Sequence, residues 1–77
     1  MSKIIYFETS QWYVIRCESD GAIRMIRRWK DVALFLYNIT DECFYNRWDK
    51  LCKAYPKHSK DALLHKLFLM YSREALS

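Results

Sequence analysis

Short apolar runs alternate with polar turns over the first 29 residues, a pattern typical of β-strands. Residues 4–7 and 12–17 are rich in aromatic and β-branched side chains, which pack well on a pleated surface. Residues 22–29 follow the pair Asp20 and Gly21. An Asp-Gly pair is a strong hairpin signal, because a type I′ turn needs positive φ angles that glycine adopts freely. The sequence therefore predicts an antiparallel β-meander of two or three strands.

The hairpin signal also predicts a register. With a two-residue turn centred on the Asp-Gly pair, Ile15 lies opposite Ile26. One face of the hairpin then carries Trp12, Val14, Arg16, Ile23, Met25, Arg27 and Trp29. The other face carries Tyr13, Ile15, Cys17, Arg24, Ile26 and Arg28. We expect one face to cover the helices and the other to present a surface of arginines and aromatic rings.

Beyond Lys30 the spacing of the apolar residues becomes helical. A first short helix is predicted from apolar residues at i, i+3, i+4 and i+7, which are Val32, Phe35, Leu36 and Ile39. Thr40 is a natural N-cap for a second helix, which Pro56 ends. The apolar stripe of this second helix is Phe44, Trp48, Leu51, Cys52 and Tyr55. Ser59 caps a third helix, whose buried side is Leu63, Leu64, Leu67, Phe68, Tyr71 and Ala75.

These elements predict an α+β fold, with an N-terminal antiparallel β-meander packed against three C-terminal helices. A chain of 77 residues has the size of one domain, so we expect residues 1–77 to form a single small domain.

Composition and charge narrow the classes of function. Hydrophobic residues make up 52% of the chain and aromatic residues 17%, which excludes a disordered chain. One Gly and one Pro exclude a flexible linker and a glycine-rich phosphate loop. The net charge of +4 attracts nucleic acid, an anionic membrane or an acidic protein, without choosing among them.

The number of cysteines and the length of the apolar runs indicate the cellular compartment of the protein. The odd number of cysteines, Cys17, Cys43 and Cys52, argues against a secreted disulfide scaffold. The longest apolar run, residues 32–37, is far shorter than the roughly 20 residues that a membrane helix needs. We therefore expect a soluble cytoplasmic protein that does not associate with a membrane.

Spacing also argues against a zinc site among Cys43, Cys52, His58 and His65. No C-x-x-C pair is present, and nine positions on one helix would put the two cysteines on opposite sides. The two histidines would lie about 10 Å apart along a helix axis, too far for one ion. We expect no metal and no cofactor.

The residues that could support catalysis have simpler roles. His58, Ser59 and Asp61 lie close in sequence, but Ser59 suits a helix cap and Asp61 a first helical turn. Neighbours in sequence seldom point at one another as a catalytic triad requires. The sequence therefore predicts a protein that is not an enzyme.

Arginines and aromatic residues of the hairpin are the best candidates for binding. Guanidinium groups beside aromatic faces hold phosphates and stack bases, and Trp, Tyr and Arg also dominate protein interfaces. The candidate partner-binding residues are Trp12, Tyr13, Arg16, Arg24, Arg27, Arg28, Trp29 and Lys30. The simpler interpretation is a solvated basic face with the aromatic rings buried in the core.

The leading hypothesis is a small protein-interaction module, of the type that phages or other mobile elements encode as regulators or anti-defence inhibitors. It would sterically block a surface of a host protein or protein–nucleic-acid complex. The alternative is a nucleic-acid-binding protein that uses the same basic, aromatic hairpin surface. Leu69, Met70 and Leu76 form an apolar strip on the last helix, and a homodimer through that helix is a further hypothesis.

Overall fold

The computed structural model of the chain describes residues 3–76, with only the backbone of Leu76. Its elements in chain order are β1 (Lys3–Glu8), β2 (Trp12–Cys17), β3 (Ile23–Arg27), β4 (Val32–Leu36), α1 (Asp41–Ala54) and α2 (Lys60–Leu76). The strands precede the helices, which confirms the predicted α+β class. The chain divides into two compact units, Met1–Ile39 with the strands and Thr40–Ser77 with the helices. The single domain stays a prediction.

The four strands form one antiparallel sheet in the order β1-β2-β3-β4. The predicted two or three strands and three helices are therefore corrected to four strands and two helices in the described residues. The residues predicted as the first helix form β4, which pairs with β3 along its whole length. A short, continuous apolar run fits a helix and a buried strand equally well. Positive φ angles at Asp31 (49°) and Asn38 (61°) bound this run and leave a segment of strand length.

The register of β2 and β3 differs from the predicted one by two residues. Ile15 lies opposite Arg24, and the predicted pairing of Ile15 with Ile26 is wrong. Because side chains alternate with a period of two, an even offset leaves every strand residue on its predicted face. The two predicted sets of β2 and β3 side chains are therefore confirmed as opposite faces of the sheet.

Local hydrogen bonds explain the offset. The Gly21 N–H donates to the Cys17 carbonyl oxygen at 2.8 Å, and the Cys17 N–H donates to the Ala22 carbonyl oxygen at 3.2 Å. These bonds close a loop over residues 18–21 instead of a two-residue turn. Asp20 Oδ1 accepts from the Ala22 N–H at 3.0 Å, a side-chain bond that favours this loop.

Burial differs between the two faces of the sheet. The buried face carries side chains that are at most 9% exposed, namely Tyr6, Trp12, Val14, Ile23, Met25 and Leu36. The open face keeps partly or fully exposed side chains, namely Ile5, Tyr13, Arg24, Ile26, Arg28, Ala33 and Phe35. Ile15 at the centre of the open face is the exception and is 5% exposed. The sheet therefore has the expected surface of arginines and aromatic rings on one side.

Both helices begin at the predicted caps. Thr40 Oγ1 accepts from the Cys43 N–H at 3.1 Å, and Ser59 Oγ accepts from the Ala62 N–H at 3.2 Å. Each bond satisfies an N–H group that has no partner within the first turn of the helix. As predicted, α1 ends just before Pro56, which cannot continue a helix.

The helical unit has its own buried side chains, and they belong to the predicted stripes. They are Phe44, Leu51, Leu63, Leu64, Leu67 and Tyr71. The rings of Phe44 and Tyr71 stack with centroids 6.3 Å apart. Arg47 lies 4.6 Å from the centroid of Tyr71 and pairs with Glu74 at 2.9 Å. This cluster links α1 to α2.

The apolar residues of α2 exceed what the helical unit buries. Leu69 and Met70, two residues of the apolar strip, are partly exposed. Ala75 is exposed, contrary to its predicted place on the buried side. The side chain of Leu76, the third member of that strip, lies outside the described residues. Neither described helix has the length and apolarity needed to cross a bilayer.

We expect Gly21→Ala to lower the free energy of unfolding by about 1 kcal/mol, because Gly21 has a φ of 69° that L side chains rarely adopt. A Cβ added there would meet nothing within 4 Å, so the loss comes from the backbone alone. Gly21→Asn should lose less, since Asn tolerates this region. Urea unfolding followed by circular dichroism measures both changes, and equal losses would contradict this explanation.

Candidate interaction surface

The structure places the predicted binding residues in three different locations. Trp12, Arg16 and Arg27 lie on the buried face, and Tyr13, Arg24 and Arg28 lie on the open face. Trp29 and Lys30 lie in the turn between β3 and β4, although Trp29 was predicted to continue the strand. The candidate set is therefore divided, and only part of it forms one surface.

Trp12 belongs to the core of the sheet unit. Its side chain is 0% exposed, and the guanidinium of Arg27 lies 5.4 Å from its ring centroid. A ring without accessible surface offers a partner nothing to contact. Trp12 therefore contributes to packing and is not part of the exposed surface, whereas Arg27 is partly exposed and lies against the Trp12 ring on the buried face.

Arg16 is held by three acceptors within the sheet unit. Its Nε donates to the Tyr6 hydroxyl at 2.9 Å, and its Nη1 donates to the Gly21 carbonyl oxygen at 2.5 Å. Its Nη2 donates to the carbonyl oxygen of Ile39. The side chain thus joins β1, the β2–β3 loop and the segment after β4, which is a structural role.

Two rows of side chains cross the open face from β1 to β4. The register aligns Ile5, Ile15, Arg24 and Phe35 in one row. It aligns Glu8, Tyr13, Ile26 and Ala33 in the other. Neighbouring strands lie about 4.8 Å apart, so each row spans roughly 14 Å. Residues from all four strands therefore form one continuous surface of apolar, aromatic and basic groups.

Cations cover the aromatic rings of the open face. Lys3 Nζ and the Arg28 guanidinium lie 5.4 and 5.5 Å from the Tyr13 centroid, and the Arg24 guanidinium lies 5.1 Å from that of Phe35. Phe35 remains 47% exposed. Exposed cation–π contacts contribute about 0.5–1 kcal/mol each, so they orient these side chains without locking them.

Carboxylates pair with both arginines of the open face. Arg24 Nη2 lies 2.7 Å from Asp20 Oδ2, and Arg28 Nη2 lies 3.1 Å from Glu8 Oε2. Ion pairs of this exposure are weak, so a partner can exchange them for its own. The surface therefore presents positive and negative groups side by side.

Hydrogen bonds shift the pKa values of Asp20 and Lys3. The Ala22 N–H, and then Arg24, lower the pKa of the Asp20 carboxyl below its ordinary 3.8. A hydrogen bond with the Tyr13 side chain raises the pKa of Lys3 above 10.5. Each shift favours the charged form that the group already has at neutral pH.

Trp29 is the most exposed large apolar side chain described. It is 87% exposed, and its backbone has a φ of 71°. Its indole Nε1 donates to the Ser10 carbonyl oxygen at 3.0 Å, which ties the ring to the β1–β2 turn at the same end of the sheet as Tyr13 and Arg28. The ring is therefore presented to solvent in a defined orientation. We name Tyr13, Arg24, Arg28, Trp29 and Phe35 together the interaction surface.

Sequence reasoning missed Phe35, Ile5 and Lys3 as members of the open face. Phe35 was predicted on a helix, so its pairing with Arg24 could not be derived. The bounded length of the run at residues 32–37 is the signal that favours a strand there. No register was predicted for β1, so Ile5 and Lys3 could not be assigned to a face of the sheet. The pairing of β1 with β2 shifts at a bulge between Ile5 and Phe7.

The structure shows structural roles for two of the other chemical candidates and no disulfide among the cysteines. Ser59 caps α2, and the His58 ring packs edge-on against Tyr55 at 5.0 Å. Cys17, Cys43 and Cys52 are free thiols. Within residues 3–76, no cluster of three or more His, Cys, Asp or Glu side chains could hold a metal ion.

No protein-family model matches this chain, and comparisons with curated proteins and with solved structures find no match. Its function is therefore argued from the geometry of its surfaces.

We expect Arg16→Lys to lower the free energy of unfolding by about 1–2 kcal/mol, because an ammonium group cannot reach the three acceptors that a planar guanidinium spans. Arg28→Lys is the matched control, since Arg28 makes an exposed ion pair. It should change stability by less than about 0.5 kcal/mol. Urea denaturation compares the two variants, and equal losses would show that Arg16 is not the stabilising link.

The pH dependence of the free energy of unfolding should reflect the ionisation of the Asp20 carboxyl. Because its pKa is lower in the folded chain than in the unfolded one, the ionised carboxylate stabilises the fold above the unfolded value and loses this effect as the pH falls through the folded value. Asp20→Asn keeps the Oδ1 acceptor and removes the charge. Its unfolding free energy should therefore vary less steeply below about pH 4. An NMR titration that places the midpoint of Asp20 at or above 3.8 would contradict this.

Proposed function

We propose that this protein is a non-enzymatic interaction module that binds a partner protein through the interaction surface. One observation carries the proposal: exposed rings and arginines from β2, β3 and β4 share one sheet face, beside a fixed and exposed Trp29. Trp, Tyr and Arg are the residues that most often dominate the binding energy of protein interfaces.

The charge pattern favours a protein over nucleic acid. Lys3, Arg24 and Arg28 are accompanied on the open face by the carboxylates of Asp20 and Glu8. A phosphate backbone would meet both carboxylates as like charges, whereas a protein surface can match both signs. The mixed pattern therefore supports a partner with alternating acidic and basic groups around an apolar centre.

Steric occupancy is the mechanism that we propose. The rings of Trp29 and Phe35 would insert into apolar depressions of the partner, and the arginines would exchange their internal carboxylates for those of the partner. A site covered in this way is closed to its other ligands. The inhibitory role, the origin in a phage or mobile element and the cytoplasmic location stay predictions from the sequence.

Nucleic acid is the second candidate, and one observation favours it. Tyr13 and Phe35 are aromatic rings with cations nearby on an open antiparallel sheet, an arrangement that can stack bases and hold phosphates. If this candidate is correct, Arg24 and Arg28 would contact the backbone, and their replacement would weaken binding to many sequences.

Site-specific crosslinking tests the protein partner. A benzophenone amino acid at Phe35 should crosslink one protein in extracts of the producing cells. The same amino acid at Tyr45 of α1, which is exposed to a similar extent, is the matched control and should not. Trp29→Ala should abolish the Phe35 crosslink and weaken binding to the purified partner roughly 30-fold, the effect of losing an interface anchor worth about 2 kcal/mol. A crosslink that is identical from both positions, or unchanged by Trp29→Ala, would refute the proposal.

A titration separates the two candidates. Labelled duplex DNA, single-stranded DNA and RNA are added at low and at moderate salt, and we expect no saturable binding. Saturable binding with a steep salt dependence, lost in the Arg24→Ala and Arg28→Ala double variant, would overturn the protein partner and support nucleic acid. Circular dichroism verifies that the double variant remains folded.

A further inference from the structure

A groove lies within the helical unit, and all of its described lining residues belong to that unit. It encloses about 220 Å³, a volume that suits one or two apolar side chains. Its lining residues are Leu51, Tyr55, Lys66, Leu69, Met70 and Arg73. Leu51 is mostly buried and forms the floor, whereas Tyr55, Leu69 and Met70 are each 38–39% exposed. The groove is therefore an accessible apolar depression.

The α2 side of the groove has a regular pattern. Leu69 and Met70 follow Lys66 at i+3 and i+4, and Arg73 follows it at i+7. These positions share one helix face, with the two cations about 10 Å apart. Lys66 Nζ also lies 4.5 Å from the Tyr55 centroid, which holds this cation at the groove. An apolar pair is thus flanked by a positive charge at each end.

The charge of the lining residues indicates which kind of occupant the groove would bind. Among the described lining residues, Lys66 and Arg73 are the charged ones, and none is a carboxylate. A second copy of the chain packed by the same face, parallel or antiparallel, would bring Lys66 and Arg73 against the same two cations. Like charges at such a contact are unfavourable, so the pattern disfavours the homodimer through α2 that the sequence suggested.

We propose that this groove binds an amphipathic helix of a partner protein, in which an apolar pair is flanked by carboxylates two helical turns apart. The apolar pair would pack on Leu51, Leu69 and Met70, and each carboxylate would meet Lys66 or Arg73. The two cations flank the apolar pair in the same way from either end of the groove, so the charges allow the partner helix to bind in either orientation. This surface is independent of the interaction surface and does not rest on the function proposed for it.

The test uses a synthetic helical peptide of sixteen residues built around Glu-x-x-Leu-Leu-x-x-Glu, with Ala at the remaining positions. A second peptide carries Lys in place of both Glu residues. Binding is followed by fluorescence anisotropy, and by NMR of methionine methyl groups. Met70 lines the groove and Met25 is 0% exposed in the sheet unit, so their signals separate binding at the groove from other effects.

We expect the acidic peptide to bind and to shift the Met70 methyl signal, with that of Met25 unchanged. Lys66→Glu with Arg73→Glu should weaken the acidic peptide tenfold or more and allow the Lys peptide to bind instead. Lys50→Glu with Lys57→Glu makes the same change in net charge at exposed positions outside the groove. This control should retain most of the affinity for the acidic peptide.

Three results would overturn the proposal: no binding of the acidic peptide to the unmodified protein, binding that leaves Met70 unshifted, or equal weakening by both double variants. The recovery of binding by the Lys peptide keeps the test valid if the charge variants are less stable, because only a folded groove can show it. These outcomes do not involve the crosslink at Phe35, so either proposal can fail alone.

Discussion

The guanidinium of Arg16 connects parts of the sheet unit that are distant in the chain. Its acceptors are ten residues before it in Tyr6, five after it in Gly21 and 23 after it in Ile39. A planar group with five fixed N–H donors can hold three widely separated acceptors at once. Edge strand β1, the β2–β3 loop and the end of the β4 segment are thereby fixed relative to the central strand β2. These bonds of Arg16 reinforce the alignment across the sheet that the strand pairing and the loop over residues 18–21 set.

That alignment creates the open face. Its rings and cations come from four strands, and none of its cross-strand neighbours is adjacent in sequence. The buried face holds the largest fully buried side chains of the sheet unit, and Ile15 is the open-face residue that also belongs to the core. Its arginines are held only by exposed ion pairs and ring contacts, which bind weakly and exchange readily. The sheet thus separates the groups that stabilise it from the groups that remain available to a partner.

The sequence predicted the features that local chemistry determines. The α+β class, the caps Thr40 and Ser59 and the membership of the two hairpin faces follow from side-chain period and capping preference, and the structure confirms them. The strand conformation of β4 and the register of the β2–β3 hairpin could not be predicted from side-chain period and capping preference. An apolar run of six residues fits both the helical and the strand period. The loop length depends on hydrogen bonds of Asp20 and Gly21 that the period of the side chains does not reveal.

The candidate site was predictable in residue type but not in location. Arginines and aromatic residues were identified, yet their patterns do not reveal whether a guanidinium meets solvent or a buried acceptor. Arg16 and Arg24 lie in the same hairpin, and only their opposite faces separate a structural role from an exposed one. The exposure of Trp29 depends on the end of β3 at Arg27, a boundary that sequence reasoning placed two residues later.

The turn that presents Trp29 is costly for the backbone. Trp29 and Asp31 both have positive φ angles, a conformation that costs L residues roughly 1–2 kcal/mol each. Glycine at either position would relieve this backbone strain, but glycine in place of Trp29 would remove the exposed indole. Selection for thermal stability alone would therefore drive this turn toward glycine, and selection for binding would retain tryptophan. In this turn, the stability of the backbone and the proposed binding role therefore place opposite demands on Trp29.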